Sequence, residues 1–228
     1  MSRRILLTGG SGSIGSAIAT RLRAGDADDV RAPDRAALDL ASADSVAHSI
    51  ASGACEGLDV LIHCAGFNEP KPALDVDRAA MLQSLEINLL SFLELTRAVV
   101  PSMIARGAGR ILAVGSLYAS RSQVRRLAYT ASKHALLGAT RTLAMEIGPH
   151  GIVVNTVSPG FVYTAMTRRN NGPAAIAALE QAVPLGRLAA PDELANVVAF
   201  LVSPENTYIH GQDIVVDGGF SVGWFSRG

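Results

Sequence analysis

Five short apolar runs, separated by longer helical patterns, restrict the folds open to this chain of 228 residues. None of the runs alternates apolar with polar residues, so each fits a parallel strand that is buried on both faces. They read RILLTG, DVLIHCAG, GRILAVGS, IVVNTVSPG and QDIVVDGG, and helical patterns cover residues 16–23, 81–100, 131–147 and 192–202. We predict one α/β domain over residues 1–228, with a doubly wound parallel sheet whose ligands lie beyond the carboxyl ends of the strands.

The connection between the second and third strands is unusually short. The second strand is expected near DVRAPD (29–34), and the next candidate strand, ALDL (37–40), follows almost at once. A parallel crossover needs roughly a dozen residues. Either the crossover helix has been deleted or the third strand is vestigial, so one edge of the sheet is expected to be trimmed.

A glycine-rich segment, TGGSGSIG (8–15), lies between the first strand and the first helix, which is the context that a dinucleotide-binding loop requires. Gly9 permits the tight turn, Gly12 lets the backbone approach a pyrophosphate, and Gly15 allows the helix to pack closely on the strand. The helix N-terminus offers free amides and the positive end of its dipole to phosphates. No Gly-Lys-Ser/Thr follows, which argues against a P-loop. The fold is therefore expected to be Rossmann-like.

Two residues near the second strand bear on the choice of dinucleotide. An acidic residue about 20 positions past such a loop binds the adenosine ribose, and Asp34 follows Gly15 by 19 positions. Its carboxylate favours NAD and repels the 2′-phosphate of NADP, whereas the neighbouring Arg35 would pair with that phosphate. Both cofactors stay open, and the pattern leans to NAD.

Tyr129 and Lys133 stand four residues apart on a predicted helix and therefore share one face. A phenol with a pKa of about 10 is a poor acid or base near neutrality. A nearby ammonium group stabilises the phenolate and lowers that pKa, so Tyr129 is a candidate proton donor and acceptor. Ser116, at the end of the predicted strand GRILAVGS, is placed to hold a substrate oxygen.

Over nearly its whole length the sequence resembles the short-chain dehydrogenase/reductase superfamily, in particular its single-domain 3-oxoacyl-acyl-carrier-protein reductases and related alcohol and sugar dehydrogenases. Eight motifs follow the family's order, and the spacing from Ser116 to Tyr129 is the family's usual one. The motifs are TGGSGSIG, DVLIHCAG (59–66), INLLSF (87–92), GRILAVGS (109–116), YTASK (129–133), NTVSPG (155–160), VPLGRLAAPDELANVVAFLVS (183–203) and GQDIVVDGG (211–219).

The resemblance implies an NAD(P)-dependent oxidoreductase that interconverts a ketone and a secondary alcohol by hydride transfer. It implies that Tyr129 is the general acid and base, that Ser116 polarises the carbonyl or orients the alcohol, and that Lys133 binds the nicotinamide ribose. Asn88 is expected to hold the water that links Lys133 to solvent. The remaining cofactor-binding residues that it implies are Gly9, Ser11, Gly12, Ser13, Ile14, Gly15, Asp34, Arg35, Asp39, Leu40, Ala65, Gly66, Pro159, Gly160, Val162 and Thr164, besides Tyr129 and Lys133 themselves.

The sequence departs from the family pattern at two places. Ser13 occupies a position that is usually glycine, which gives the loop the phasing of the extended sugar-nucleotide epimerases and dehydratases. His63 and Cys64 replace the usual asparagines of Asn-Asn-Ala-Gly, and we interpret them as a strand-end histidine and a small buried residue. Only 95 residues follow Lys133, too few for the extended branch's substrate domain, so the single-domain branch is favoured.

Two other function classes remain as alternatives. One is the sugar-nucleotide epimerase or dehydratase that the loop phasing suggests, and the other is a cofactor-binding regulator without catalysis. A complete set of Asn88, Ser116, Tyr129 and Lys133 argues against a pure binding protein. Screening ketones and alcohols with both cofactors separates an active dehydrogenase/reductase from the non-catalytic regulator.

The segment over about 161–184 is expected to be an integral substrate lid, with a turn at Asn-Asn-Gly-Pro between two short helices. Arginines near it, which could bind a carboxylate or phosphate, are Arg121, Arg125, Arg126, Arg168 and Arg169, and Phe67 and Tyr118 offer aromatic surface.

Composition limits the partners. Basic and acidic residues both total 20, which favours neither nucleic acid nor an anionic membrane. No apolar run approaches the roughly 18 residues of a membrane helix, the five histidines show no ligand spacing, and no metal is expected. We predict a cytoplasmic homo-oligomer, a tetramer or dimer, with Trp224 and Phe225 packed on a neighbouring subunit.

Overall fold

The computed structural model describes residues 2–24 and 28–223, and within them a six-stranded parallel sheet lies between two layers of helices. The strand order is β2-β1-β3-β4-β5-β6. The strands are β1 (Arg4–Thr8), β2 (Asp29–Arg31), β3 (Val60–His63), β4 (Gly109–Val114), β5 (Ile152–Pro159) and β6 (Asp213–Val216). The predicted Rossmann-like doubly wound fold is confirmed. Trp224 and Phe225 lie outside the described residues.

The four longer helical stretches predicted from the sequence are present with somewhat different ends, whereas the helix at Ala43–Ala51 was not predicted. The helices are α1 (Ser13–Arg23), α2 (Ala43–Ala51), α3 (Arg78–Leu85), α4 (Ser91–Arg106), α5 (Leu127–Ile147), α6 (Ala165–Asn170), α7 (Pro173–Ala182) and α8 (Pro191–Leu201), with a π-helical turn, Glu86–Leu90, joining α3 to α4. The largest error is at the end of α4, which continues through Pro101 because Met103 is buried in the core and Gly107, with φ of 65°, caps the last turn.

The two faces of the sheet carry separate apolar cores, which explains why the strand sequences do not alternate. Neighbouring residues of one strand point to opposite faces. In β1, Leu6 packs with Phe92 and Leu95 of α4, whereas Ile5 packs on the other face with Ile18 of α1 and Val198 of α8. Every residue of such a strand therefore faces an apolar core, and the strand sequence is apolar throughout.

The expected trimmed edge is present. Residues 37–40 form no strand; the chain turns after β2, and Leu38 and Leu40 are buried in the core on the α2 and α4 side. The usual order of such sheets places a further strand beyond the second one. Here that third strand is lost, and α2 serves as the crossover from β2 to β3, so β2 is the edge strand.

One helical stretch, Arg78–Arg106, is long and apolar enough to cross a membrane by length and composition, with a mean hydropathy of 1.3 over its most apolar window. In this fold 39% of that window is buried, on the face of α4 that packs against the sheet. Phe92, Leu95 and Val99, on one face of α4, are fully buried against the sheet.

Candidate active site

A cleft of ≈ 500 Å³ runs along the carboxyl ends of the strands, at the point where β1 and β3 lie side by side. This is the switch point at which doubly wound sheets bind their ligands. The cleft brings together every residue assigned to the cofactor by resemblance, and also Ser116. Asn88 is the exception, since it is fully buried behind the cleft.

The glycine loop passes so close to its neighbours that a Cβ would collide at Gly9, Gly10 and Gly15. Gly9 has φ of 72°, and a Cβ there would lie 2.7 Å from the backbone of Ala65 on the loop after β3. A Cβ on Gly15 would overlap the carbonyl oxygen of Gly9. At Gly12, by contrast, the nearest atom to a Cβ would be the Gly9 oxygen at 3.3 Å, so its other side is open.

This loop geometry fits a dinucleotide. Gly12 is the N-cap of α1, and no side chain caps the helix, so the amides of its first turn remain available to an anion. Ser11, Gly12, Ser13 and Ile14 all line the cleft at this end. The loop therefore presents backbone donors where a pyrophosphate would bind.

The part of the cleft to which the resemblance assigns the adenosine is formed by the turn that replaces the missing strand. Asp34 is exposed, and its Oδ1 accepts the N–H of Ala37 at 3.0 Å. Arg35 donates from Nη2 to Oδ2 of Asp39 at 3.3 Å, which ties the arginine to a second carboxylate of the same turn. The Ala41 N–H bonded to Asp39, together with Arg35, lowers the pKa of the Asp39 carboxyl although partial burial opposes this. Both carboxylates line the cleft.

Ser116, Tyr129 and Lys133 meet in the middle of the cleft. Ser116 follows β4, while Tyr129 and Lys133 lie one turn apart on α5. Lys133 is 2% exposed; its Nζ donates to the carbonyl of Val114 at 2.8 Å and lies 5.7 Å from the Tyr129 ring centroid. Burial lowers the pKa of the lysine ammonium to about 8.

The pKa of Tyr129 differs from the sequence-based expectation. Burial raises it, and the hydrogen bond with Ser116 acts in the opposite direction without cancelling that effect. The sequence predicted a pKa lowered by Lys133. The cause is the burial of the phenol itself, which outweighs every effect that lowers its pKa.

The part of the cleft to which the resemblance assigns the nicotinamide is formed by the chain after β5. Pro159, Gly160, Val162 and Thr164 line it, and a Cβ on Gly160 would lie 2.7 Å from Asp217. Thr164 is the N-cap of α6, its Oγ1 accepting the N–H of Thr167 at 3.1 Å. Helices α6 and α7 follow on either side of the turn at residues 171–172.

Comparisons with known proteins agree with this architecture. A family model described as enoyl-(acyl carrier protein) reductase matches residues 19–221. An acetoacetyl-CoA reductase from Allochromatium vinosum is 34% identical, over 96% of this chain and 98% of its own. A 3-oxoacyl-(acyl-carrier-protein) reductase, FabG, from Vibrio cholerae is 38% identical over 72% of this chain, and the match spans 66% of its length.

A crystal structure named for an NAD(P)-dependent gluconate 5-dehydrogenase from Beutenbergia cavernae, with bound NADP at low occupancy, has a TM-score of 0.91 and 31% identity. It covers 97% of each chain. The chain belongs to the short-chain dehydrogenase/reductase superfamily. It is an NAD(P)-dependent oxidoreductase that acts on CH–OH groups and interconverts a carbonyl and an alcohol. The epimerase and the non-catalytic regulator are not favoured.

In this short-chain dehydrogenase, Asn88 joins the loop after β3 to α5. It lies in the π-helical turn, where Oδ1 accepts the Phe67 N–H at 2.7 Å and Nδ2 donates to the Phe67 carbonyl at 3.0 Å. Nδ2 also donates to Oγ of Ser132 at 2.9 Å, and that hydroxyl donates to the Tyr129 carbonyl at 2.8 Å. The side chain therefore holds the cleft wall against the helix that carries Tyr129.

The two departures at the end of β3 have different surroundings. His63 is fully buried and lies between Oγ1 of Thr8 at 3.1 Å and the Ile87 carbonyl at 3.2 Å, and burial lowers its pKa to about 3. It is the strand-end histidine that the sequence predicted. Cys64 is only partly buried and lines the cleft, and desolvation raises the pKa of its thiol to about 12.

Sequence reasoning missed several lining residues in or next to the motifs, because most of them are apolar and carry no chemical signature of their own. They are Pro33, Leu38, Ala41, Cys64, Ile87, Val114, Gly115, Ala165, Met166 and Thr167, whereas Phe67 was expected and lines the cleft. Tyr118, also expected, packs edge-on against Tyr129 with ring centroids 6.0 Å apart. Within the described ranges, no group of three His, Cys, Asp or Glu residues comes together as a metal site.

Proposed function

We propose that the enzyme reduces a small ketone to a secondary alcohol, and runs the reverse oxidation, with Tyr129 as general acid and base. The convergence of Ser116, Tyr129 and Lys133 at the centre of a dinucleotide-shaped cleft carries this proposal. A bound nicotinamide dinucleotide supplies or accepts the hydride. The chain's own residues bind the carbonyl oxygen and transfer a proton to it during reduction.

Ser116 and Tyr129 place two hydroxyl groups where negative charge develops on the substrate oxygen during reduction. Tyr129 then gives its phenolic proton to that oxygen. A phenol whose pKa is raised by burial is protonated at neutral pH, which is the form that reduction requires. Lys133 lies beside the phenol ring and stabilises the phenolate left behind.

We assign Asn88 the role of holding the proton-relay water in place, and its bonds to Phe67 and Ser132 support a fixed position for that residue. Helices α6 and α7, within residues 161–184, act as the substrate lid. The domain assembles with further copies of itself, as a dimer or tetramer, in the cytoplasm.

NAD is the preferred cofactor. Asp34 is exposed at the adenosine end of the cleft and carries a full negative charge toward the place of a 2′-phosphate. Arg35, the residue that would pair with such a phosphate, is already bonded to Asp39. The net negative charge of Asp34, Arg35 and Asp39 therefore favours NAD, with its free ribose hydroxyls, over NADP with its 2′-phosphate.

The test is the variant Tyr129→Phe, assayed with a panel of ketones and secondary alcohols by the absorbance of NADH and NADPH. Turnover should fall by roughly a thousandfold or more because the proton donor is lost, while calorimetry should show unchanged dinucleotide binding. Tyr208→Phe, at a residue that is 96% exposed, serves as the control. Near-normal turnover by Tyr129→Phe contradicts the assignment.

A further inference from the structure

The five arginines that the sequence places around the substrate end of the cleft have different surroundings. Arg126 is half-buried. The other four are exposed, namely Arg121, Arg125, Arg168 and Arg169. An exposed guanidinium stays hydrated whether or not a ligand is bound. The positions of those four arginines therefore give no reason to assign them to a ligand. Arg126 requires a separate explanation.

Arg126 stands directly before α5, and its carbonyl accepts the N–H of Thr130 at 2.7 Å, so the first turn of the helix fixes its backbone. Its Nη1 donates to Oδ1 of the buried Asn68 at 3.4 Å, and the guanidinium also contacts the hydroxyl of Tyr118. The Tyr118 ring packs edge-on against Tyr129. The Tyr118 ring therefore lies between the guanidinium and the proposed proton donor, and Arg126 is outside the set of residues that line the cleft.

This guanidinium has no anionic partner in residues 2–24 and 28–223. Its Nε is buried without a hydrogen-bond acceptor, and no carboxylate of those residues lies within 4.0 Å of its nitrogens. A charge that is removed from water without a counterion destabilises the protein. An anionic group on a bound ligand would neutralise this positive charge, which explains why an arginine is placed here.

The segments around Arg126 are held together in a way that suits a binding site. Arg125 has φ of 65°, in the left-handed region that a residue with a side chain seldom adopts, and its carbonyl accepts the Lys71 N–H at 3.1 Å. Asn170 of α6 donates from Nδ2 to the Asn68 carbonyl at 3.5 Å. The lid thus reaches the residue that binds Arg126.

We propose that Arg126 binds a carboxylate of the substrate, so that the enzyme acts on a keto acid and the corresponding hydroxy acid. The planar guanidinium offers parallel N–H donors that match the two oxygens of a carboxylate. This rests on the proposed function, because the reacting carbonyl has to lie at Ser116 and Tyr129.

The experiment is a calorimetric titration with hydroxy acids, 3-hydroxybutyrate and gluconate, and with the methyl ester of each. NADH is present, so that the alcohol binds without reacting. At least one acid should bind wild-type enzyme at least roughly tenfold more tightly than its ester. Arg126→Gln should weaken that acid about a hundredfold and change the ester by less than about threefold.

Two matched variants separate charge from structure. Arg126→Lys keeps the charge but loses the planar pair of donors, so it should recover part of the affinity for the acid. Arg125→Gln alters the adjacent exposed arginine and should bind the acid like wild type. Equal binding of acid to wild type and Arg126→Gln, or no binding of either acid to wild type, overturns the proposal.

Two further measurements separate this subsite from its alternatives. Glycerol phosphate is titrated in parallel, and tighter Arg126-dependent binding of the phosphate than of the acids rejects the carboxylate. The acids are also titrated into Tyr129→Phe, where Arg126-dependent binding should persist without turnover. If acids bind through Arg126 but no ketone or alcohol is ever converted, the proposed function fails and the subsite stands.

Discussion

The hydroxyl oxygen of Ser13 accepts a hydrogen bond from the backbone N–H of Ala165 at 3.2 Å. Ser13 is the first residue of α1 and Ala165 is the first residue of α6, so the bond joins the glycine loop to the start of the proposed lid. Glycine, the usual residue at this position of the motif, has no side chain with which to make it. The departure that the sequence left unexplained is a contact between the glycine loop and α6.

Replacing Ser13 by glycine restores the usual motif and should loosen the lid. A hydrogen bond of this kind contributes about 0.5–1.5 kcal/mol, so the KM for dinucleotide should rise by up to roughly tenfold if the lid closes over the cofactor. Amide hydrogen exchange of residues 161–184 should become faster. The exposed Ser16→Ala is the control, and unchanged exchange in Ser13→Gly would show that the bond does not hold the lid.

Asp34→Asn should shift the cofactor preference toward NADP. The amide keeps an oxygen that can accept the Ala37 N–H but removes the negative charge facing a 2′-phosphate. We expect the ratio of kcat/KM for NADPH over NADH to rise about tenfold, equivalent to roughly 1.4 kcal/mol. Asp29→Asn, on the edge strand, should leave the ratio unchanged, and a preference for NADPH already in wild-type enzyme contradicts the assignment.

Two glycines should respond in opposite directions to alanine. Gly15→Ala forces a methyl group into the Gly9 carbonyl, and overpacking of a tight contact costs about 1–3 kcal/mol or more. Gly138, inside α5, has open space around a Cβ, so Gly138→Ala should raise the free energy of unfolding by about 0.4–1 kcal/mol. Urea unfolding measures both, and a stable Gly15→Ala enzyme would contradict the close approach.

Stability should fall in mild acid because of His63. The unfolded chain takes up a proton at His63 below pH 6.5, whereas burial keeps the folded pKa near 3. Between those values the unfolded state binds more protons, so the free energy of unfolding decreases as pH falls, by at most about 1.4 kcal/mol per pH unit from this group. His63→Asn, the usual residue of the motif, should flatten the slope.

Urea unfolding at several pH values between 6.5 and 4 measures that slope. The exposed His134→Asn is the control and should retain the wild-type dependence. A slope that His63→Asn leaves unchanged would place the acid sensitivity elsewhere in the protein.

The sequence predicted the layout of the fold and the residues of the cofactor cleft, because buried parallel strands and a glycine loop depend on local chemistry. It did not predict quantities that depend on tertiary surroundings. The burial of Tyr129 itself raises its pKa, against the lowering that the sequence led us to expect from Lys133. The continuation of α4 through Pro101 depends on the burial of Met103, which no local pattern reveals.

The arginines near the cleft show the same limit of prediction from sequence. In the sequence, Arg125 and Arg126 are neighbouring arginines with equal charge, and no sequence pattern assigns them different roles. The left-handed backbone of Arg125 leaves that side chain exposed while Arg126 turns toward Asn68. Only the folded chain distinguishes the two.

The lost third strand has a consequence for how this enzyme can change its cofactor. The turn proposed to hold the adenosine, residues 33–41, is attached to a three-residue edge strand rather than to the middle of the sheet. Few hydrogen bonds of the sheet constrain it, but Leu38 and Leu40 anchor it in the core, so a replacement turn has to keep two apolar residues there. Transplanting turns of other lengths there offers a route to new dinucleotide selectivity while the catalytic half of the cleft stays untouched.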